Sequence, residues 1–354
     1  MSSDPFRPQK PSHITSVTEG LCALTATEAV ARLRAGEVTA AELVEASIAR
    51  IEEVDPKVNA LPIPCFNRAR DMARDMARKL RPEDHADNPK SLCGLPIAVK
   101  DYNDVGGVRT TYGSPIFAQS VAAQSDATVR QLERNGAIPM AKSNVPEWAG
   151  GNTFNPVFGA TRNPWDLRMS VGGSSGGSAA ALASGLVWLA TGNDLGGSLR
   201  TPAAFCGIAG IRPTPGLVPK MPVESPFELL DVTGPMARTA KDLAFAVQIF
   251  SGRHDGYPLT VRTGHKSDLA DFGEHVPAQR LAYVNDVSGV GIEPEIAEIC
   301  EAAAGRLADH GHKVEVLELD LSMGREAFTT LRGQWMVNRH LDKLDKLDKL
   351  GGNL

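Results

Sequence analysis

The residues that could do chemistry in this chain cluster between Gly94 and Gly207. The stretch "GNDLGGSLRTPAAF" (192–205) sets one serine, Ser198, behind two adjacent glycines. A serine hydroxyl is a poor nucleophile until a base takes its proton. None of the eight histidines lies between residues 86 and 253, so a histidine base would have to fold back from a distance, as His254 or His310 could. The Ser–Lys pattern S-x-x-K does not occur. The stretch reads as a sharp turn after a strand, in which the backbone N–H groups of Leu195, Gly196, Gly197 and Ser198 converge on one anionic oxygen. That is the geometry of an oxyanion hole, where losing one donor typically costs ~3–4 kcal/mol. The plainer alternative makes Ser198 a helix N-cap.

Three further stretches accompany it. "GGSSGGS" (172–178) leads into a helix and lacks the lysine of a phosphate-binding P-loop. It contains G-x-S-x-G as Gly172, Ser174 and Gly176, the elbow pattern of α/β-hydrolases, but "NPWDLRMSV" before it reads as a poor strand. A flexible glycine loop is the alternative. Lys100 ends the apolar strand "LPIAVK". Buried there, it would be a candidate base, because desolvation lowers a lysine's pKa; otherwise it is a surface charge at a strand end. The segment 142–166 is rich in Asn, Pro, Gly and aromatics, and long connections of this kind are often functional. It would bring Trp148, Ala149, Phe154 and Phe158 to the site of Ser174 and Ser198, or form a structural Ω-type loop.

The elements that must position these residues alternate in type. Residues 1–20 read as an unstructured lead-in, followed by two helices. The second is marked by the capping box Thr39-x-x-Glu42, with its apolar residues running up to Asp55-Pro56. Residues 66–80 form a charged amphipathic helix with Met72, Met76 and Leu80 inward. Strands are expected at 95–100, 137–142, 186–192, 280–284 and 313–319. Helices are expected at 126–135, 174–184, 199–206, 239–250 and 293–309. This alternation predicts an α/β domain with a largely buried sheet. No linker divides the chain, so a single domain is expected over 21–340. The repeat "LDKLDKLDKL" fits neither the helical nor the strand period, and 341–354 reads as a low-complexity tail.

Composition excludes several classes. The net charge of -5 and the lack of a basic, aromatic-interleaved stripe argue against nucleic acid and anionic membrane as direct partners. Five scattered cysteines without C-x-x-C argue against a disulfide framework or a zinc site, so no metal is expected and a cytoplasmic location is the default. The N-terminus has no apolar core of a secretory signal, and the longest apolar run is too short to span a membrane.

Taken jointly, "GLPIAVKD" (94–101), "GGSSGGS" (172–178) and "DLGGSLRTPAAFCG" (194–207) closely resemble the amidase signature family, with the spacing between Ser174 and Ser198 familiar from it. The resemblance runs from about residue 25 to 250 and is strongest over 92–219. It implies an α/β/α sandwich with a mixed central sheet. Against the family's usual length the chain is expected to be truncated at its C-terminus, losing elements that extend the sheet and wall the acyl pocket. The resemblance implies a Ser–cisSer–Lys triad: Ser198 as acylated nucleophile, Ser174 after a cis bond from Gly173 as the bridge, Lys100 as terminal base. Ser175, Asp194, Arg200 and Cys206 match supporting positions. The implied activity is hydrolysis of linear amides without a cofactor. The expected partners are a small-molecule amide and, at most, a second copy of the chain in a homodimer. The open alternatives are an amidotransferase subunit that releases ammonia from glutamine for a tRNA-modifying complex, an inactive scaffold, or a histidine-dependent hydrolase using Ser174.

Overall fold

A computed structural model describes residues 12–14, 17, 19–79, 88–223, 225–260, 277–287 and 289–341. The chain divides into two compact units, Met1–Phe272 and Gly273–Leu354; the residues of the three motifs and of the 142–166 segment lie in the first, and His310 lies in the second.

Two capped helices open the first unit, α1 (Ala26–Ala35) and α2 (Ala40–Val58). Thr25 with Glu28, and Thr39 with Glu42, satisfy each other's otherwise orphaned N–H groups. Helix α2 does not stop at Asp55-Pro56, as its sequence suggests. It runs through Pro56 to Val58, and the Asp55 carboxylate accepts the N–H groups of Ala60 (2.7 Å) and Leu61 (3.1 Å) just beyond. A proline in the last turn forfeits only one helical hydrogen bond. Strand β1 (Ile63–Pro64) and helix α3 (Phe66–Lys79) follow.

The strands that carry the site are β2 (Pro96–Lys100), β3 (Ile138–Ser143) and β8 (Leu189–Asp194). Between β2 and β3 lies helix α4 (Ala127–Arg134). Between β3 and β8 lie four short strands and helix α5 (Gly176–Ala183). After β8 come α6 (Arg200–Cys206), β9 (Ala209–Gly210), β10 (Val232–Ala237) and α7 (Ala240–Phe250). The six-stranded sheet has the order β1-β3-β2-β8-β10-β9. Its centre, β3-β2-β8, is parallel; β1, β10 and β9 run antiparallel to their neighbours. It is therefore mixed, and parallel strands of this kind are buried on both faces. Ala98 packs into one apolar cluster with α2, α3 and α5, while Ile97 and Val99 pack into another with α1 and α7. That alternation places a helical layer on each face.

Two expectations shift. The strand expected over 186–192 begins at Leu189 and reaches Asp194, because Leu186 N–H still closes the preceding helix on Ala181 O. The segment 142–166 is not a bare loop. It folds into the pairs β4 (Phe154–Asn155) with β5 (Gly159–Ala160), and β6 (Arg162–Asn163) with β7 (Asp166–Ser170), the last pair extending past its end. Buried Asn144 and Asn155 hold it, Asn155 Nδ2 donating to Asn144 Oδ1 at 2.7 Å. Strand β7 thus exists where "NPWDLRMSV" reads as a poor strand. It pairs only with β6, outside the six-stranded sheet, and so does not form the central strand of a hydrolase elbow. Within the expected lead-in, Ile14 N–H donates to Pro164 O and Leu167 N–H to Ser12 O; residues 1–11 lie outside the described residues.

In the second unit, β11 (Arg280–Tyr283) pairs in parallel with β12 (Lys313–Val316), joined through α8 (Pro294–Asp309). Helix α9 (Gly324–His340) follows, and residues 342–354 lie outside the described residues. Among the described residues, no helix is long and apolar enough to cross a membrane.

Candidate active site

Parallel strands bring the C-terminal ends of β2, β3 and β8 to one edge of the sheet, where open α/β sheets place their ligands. Lys100 ends β2 there, fully buried. Its Nζ lies 2.7 Å from Ser174 Oγ, 2.8 Å from Ser175 Oγ and 2.5 Å from Asn193 Oδ1. Burial disfavours the charged form and brings its pKa down to about 7, although Asp231 and Asp194 pull the other way.

The partners define which way the protons point. A neutral amine has two N–H donors and one lone pair. Asn193 Nδ2 donates to Asp231 Oδ1 at 2.6 Å, which turns Asn193 Oδ1 toward Lys100 as an acceptor. Ser175 spends its own hydrogen on Asn193 O (3.4 Å), so its oxygen accepts the second N–H. The lone pair is left for the Ser174 hydroxyl, which then donates to Lys100. Neutral Lys100 is therefore arranged to take a proton from Ser174.

Ser174 is buried and follows a cis peptide bond from Gly173. A Cβ at Gly173 would sit 2.0 Å from Gly151 O, so only glycine fits against the 147–152 turn. Ser175 N–H donates to Ser198 O at 3.3 Å and joins the two serine loops. Ser198 is half-buried, and among the described residues its hydroxyl makes no hydrogen bond. The Lys100–Ser174 link is thus made, while the Ser174–Ser198 link is open. Hydroxyl links in unliganded sites often tighten only with substrate bound.

Asp194 builds the turn before Ser198. Its carboxylate accepts Gly197 N–H (2.8 Å) and Leu199 N–H (3.2 Å) and receives Arg200 through two nitrogens, at 3.0 and 3.1 Å. Burial raises this carboxyl's pKa, but the Arg200 and backbone hydrogen bonds outweigh it and leave the net value lowered. Gly197, with φ at 106°, takes a conformation that side chains rarely adopt. Its N–H donates to the Asp194 carboxylate. Leu195, Gly196 and Ser198 keep N–H groups with no partner among the described residues. Cys206 is a buried core residue whose thiol is pushed up to about 12 by desolvation, and its carbonyl accepts the Trp165 indole N–H.

Trp148 and Ala149 sit in a turn with left-handed backbone, φ 52° and 62°. Non-glycine residues there carry strain of the kind found at functional sites. Ala149 N–H donates to the Tyr102 hydroxyl at 2.7 Å, and the Tyr102 ring lies against Lys100 Nζ, 4.8 Å from its centroid. The turn is thereby placed beside the lysine. Phe154 is exposed on β4, and Phe158 packs against the Arg109 guanidinium. Among the described residues, no group of three or more His, Cys, Asp or Glu side chains is placed to hold a metal ion.

Sequence reasoning missed Asn193, Tyr102 and Asp231. Asn193 stands next to Asp194, and Tyr102 follows the end of the first motif, where a polar or aromatic neighbour is a weak signal. Asp231 gives none, because only the antiparallel pairing of β10 with β8, Val232 opposite Asp194, brings it alongside.

The profile of the Amidase family matches residues 42–337. This chain belongs to the amidase signature family. It is 40% identical over 233 residues to the A-type subunit of the glutamyl-tRNA(Gln) amidotransferase of Carboxydothermus hydrogenoformans, covering 66% of this chain and 47% of that relative. It is 32% identical to an acylamidase of Rhodococcus erythropolis, covering 88% of this chain and 65% of the relative. A bacterial aryl acylamidase of the same family superposes with a TM-score of 0.82 at 27% identity, covering 93% of this chain and 68% of that one. The chain therefore spans about half to two thirds of the length of these curated relatives.

Proposed function

We propose that this amidase-family chain hydrolyses the C–N bond of linear carboxylic amides through an acyl-enzyme on Ser198, releasing ammonia or an amine. The observation that carries the reading is the buried Lys100 amine, arranged to receive the Ser174 proton, on a loop bonded to that of Ser198. Ser198 Oγ attacks the carbonyl carbon, its proton passes to Ser174, and the Ser174 proton passes to Lys100. The N–H groups of Leu195, Gly196 and Ser198 receive the developing oxyanion. The C–N bond breaks as the proton returns along the relay to the leaving nitrogen. Water then attacks the ester, gives its proton to the same relay, and frees the acid and Ser198.

A fluorophosphonate probe should label Ser198 stoichiometrically, and Ser198→Ala should abolish both labelling and amide turnover. Full turnover by Ser198→Ala, or labelling of a different serine, would overturn the scheme. A second reading, release of ammonia from glutamine within a larger complex, is favoured by the likeness to the A-type amidotransferase chain. Glutamine in an amide panel, together with co-purification of partner chains, separates the two.

A further inference from the structure

Tyr102 stands two residues beyond Lys100 and does two things at once. Its ring lies against the Lys100 amine, 4.8 Å from centroid to Nζ. Its hydroxyl donates to Pro146 O and accepts Ala149 N–H at 2.7 Å, so it holds the 146–149 turn. The ring is itself held in place: Tyr102 stacks on Tyr112, with centroids 6.4 Å apart and planes 13° apart. Tyr112 packs edge-on against Phe117, and Phe117 edge-on against Trp148 of the same turn. This closed aromatic circuit fixes one ring face on the amine.

Resting on the function proposed above, we infer that Tyr102 is a positioning residue for the Lys100 base: its ring face favours the ammonium form, and its hydroxyl fixes the turn that walls the site. The reason lies in the rest of the surroundings. The Lys100 amine faces Ser174 and Ser175 from the glycine loop and Asn193 from β8, all uncharged. The acidic groups that act on it are Asp231, held by Lys220, and Asp194, held by Arg200 and Arg212. Asp101, next in sequence, is paired with Lys142. No carboxylate among the described residues touches the amine, so its ammonium form has no direct ionic partner in this dry site. A π face supports that charge without fixing the proton as a carboxylate would.

The test uses the full chain with three residues at position 102: tyrosine, Tyr102→Phe, and Tyr102→pentafluorophenylalanine. The fluorinated ring keeps the shape and dryness of phenylalanine but reverses the polarity of its face. The pH dependence of Ser198 labelling should have the same acid-side midpoint in the native protein and Tyr102→Phe. The fluorinated variant should move it down by about half a unit to one unit. Tyr102→Phe, losing both hydroxyl contacts, should raise KM about threefold to tenfold with little change in kcat. The same Lys100 midpoint, read by NMR of 13C-labelled lysine and assigned with Lys100→Met, decides the point without any reaction. If Ser198 is never labelled, the functional reading falls while the NMR midpoint still tests Tyr102. Equal midpoints for the phenylalanine and pentafluorophenylalanine rings, or an upward shift, would overturn the inference.

Discussion

Lys100 and Lys142 lie near the ends of neighbouring parallel strands, and both are fully buried. The register pairs Val99 with Lys142 and Lys100 with Ser143, so the two lysines leave the sheet on opposite faces. On its face Lys142 meets the Asp101 carboxylate at 2.9 Å and Thr110 Oγ1 at 2.8 Å. Asp101 is itself buried and also accepts the N–H and hydroxyl of Thr111. On the other face Lys100 meets two hydroxyls and an amide oxygen, and no carboxylate. Burial is common to both, and the partners differ: Lys142 has a counter-charge that ties its strand to a loop, while the Lys100 amine has only neutral oxygens around it.

The comparison breaks most visibly at Lys100. Lys100→Met should slow Ser198 acylation at neutral pH by about a thousandfold or more, as expected when a general base is removed. A labelling rate within a few fold of the native one would remove Lys100 from the chemistry. The same variant has a stability signature. Lys100 titrates near 7 when folded and near ~10.4 when unfolded. Between those values the unfolded chain binds more protons at this group, so its contribution makes stability rise with pH. Below pH 7 the amine is charged in both states and the burial penalty is carried in full. Urea midpoints across pH 6–9 should show a rise in the native protein, at most about 1.4 kcal/mol per unit from this group, that Lys100→Met lacks. Parallel curves for the two proteins would show that Lys100 is not depressed.

At Lys142 the effect should fall on stability rather than on chemistry. Asp101→Asn leaves a buried ammonium without its counter-charge and should cost about 3–5 kcal/mol of unfolding free energy. Adding Lys142→Met should recover most of that loss, because the uncompensated charge is gone. A single-variant loss below about 1 kcal/mol, or no recovery in the double variant, would contradict the contrast between the two lysines.

Much of the Lys100 side of this contrast is legible in the sequence. The three motifs name Lys100, Ser174, Ser175 and Asp194, and the structure gathers them at one sheet edge. The helices at 126–135 and 239–250 are legible from periodicity and caps, and the structure caps them with Asp126 and Thr239. What cannot be read is which polar atoms are already spoken for. Gly197 reads as an oxyanion donor from the turn alone, which does not reveal that its N–H donates to the Asp194 carboxylate. Lys142 reads as the last residue of a strand, because nothing in "IPMAKS" reveals that Asp101, far earlier in the chain, is buried opposite it. The first is local turn chemistry and the second is long-range pairing, and periodicity and motif spacing encode neither.

The smallest test concerns charge at one remove. Asp231 reaches Lys100 through Asn193, whose Nδ2 it accepts at 2.6 Å, while its other oxygen takes Lys220 at 3.1 Å. Its negative charge favours the ammonium form of Lys100, from a greater distance than the Asp101 carboxylate stands from Lys142. Asp231→Asn can still accept the Asn193 amide through its oxygen, which preserves the orientation of Asn193 toward Lys100. What it removes is the charge, and it leaves Lys220 less neutralised nearby; both changes disfavour a protonated Lys100. The acid-side midpoint of Ser198 labelling should therefore fall by a few tenths of a unit to about one unit, with the plateau rate nearly unchanged. A rise in the midpoint would mean that solvent entry, rather than charge, governs the base. A collapsed plateau at the same midpoint would mean that Asp231 works by holding Asn193, which would place it on the structural side of the contrast with Asp101.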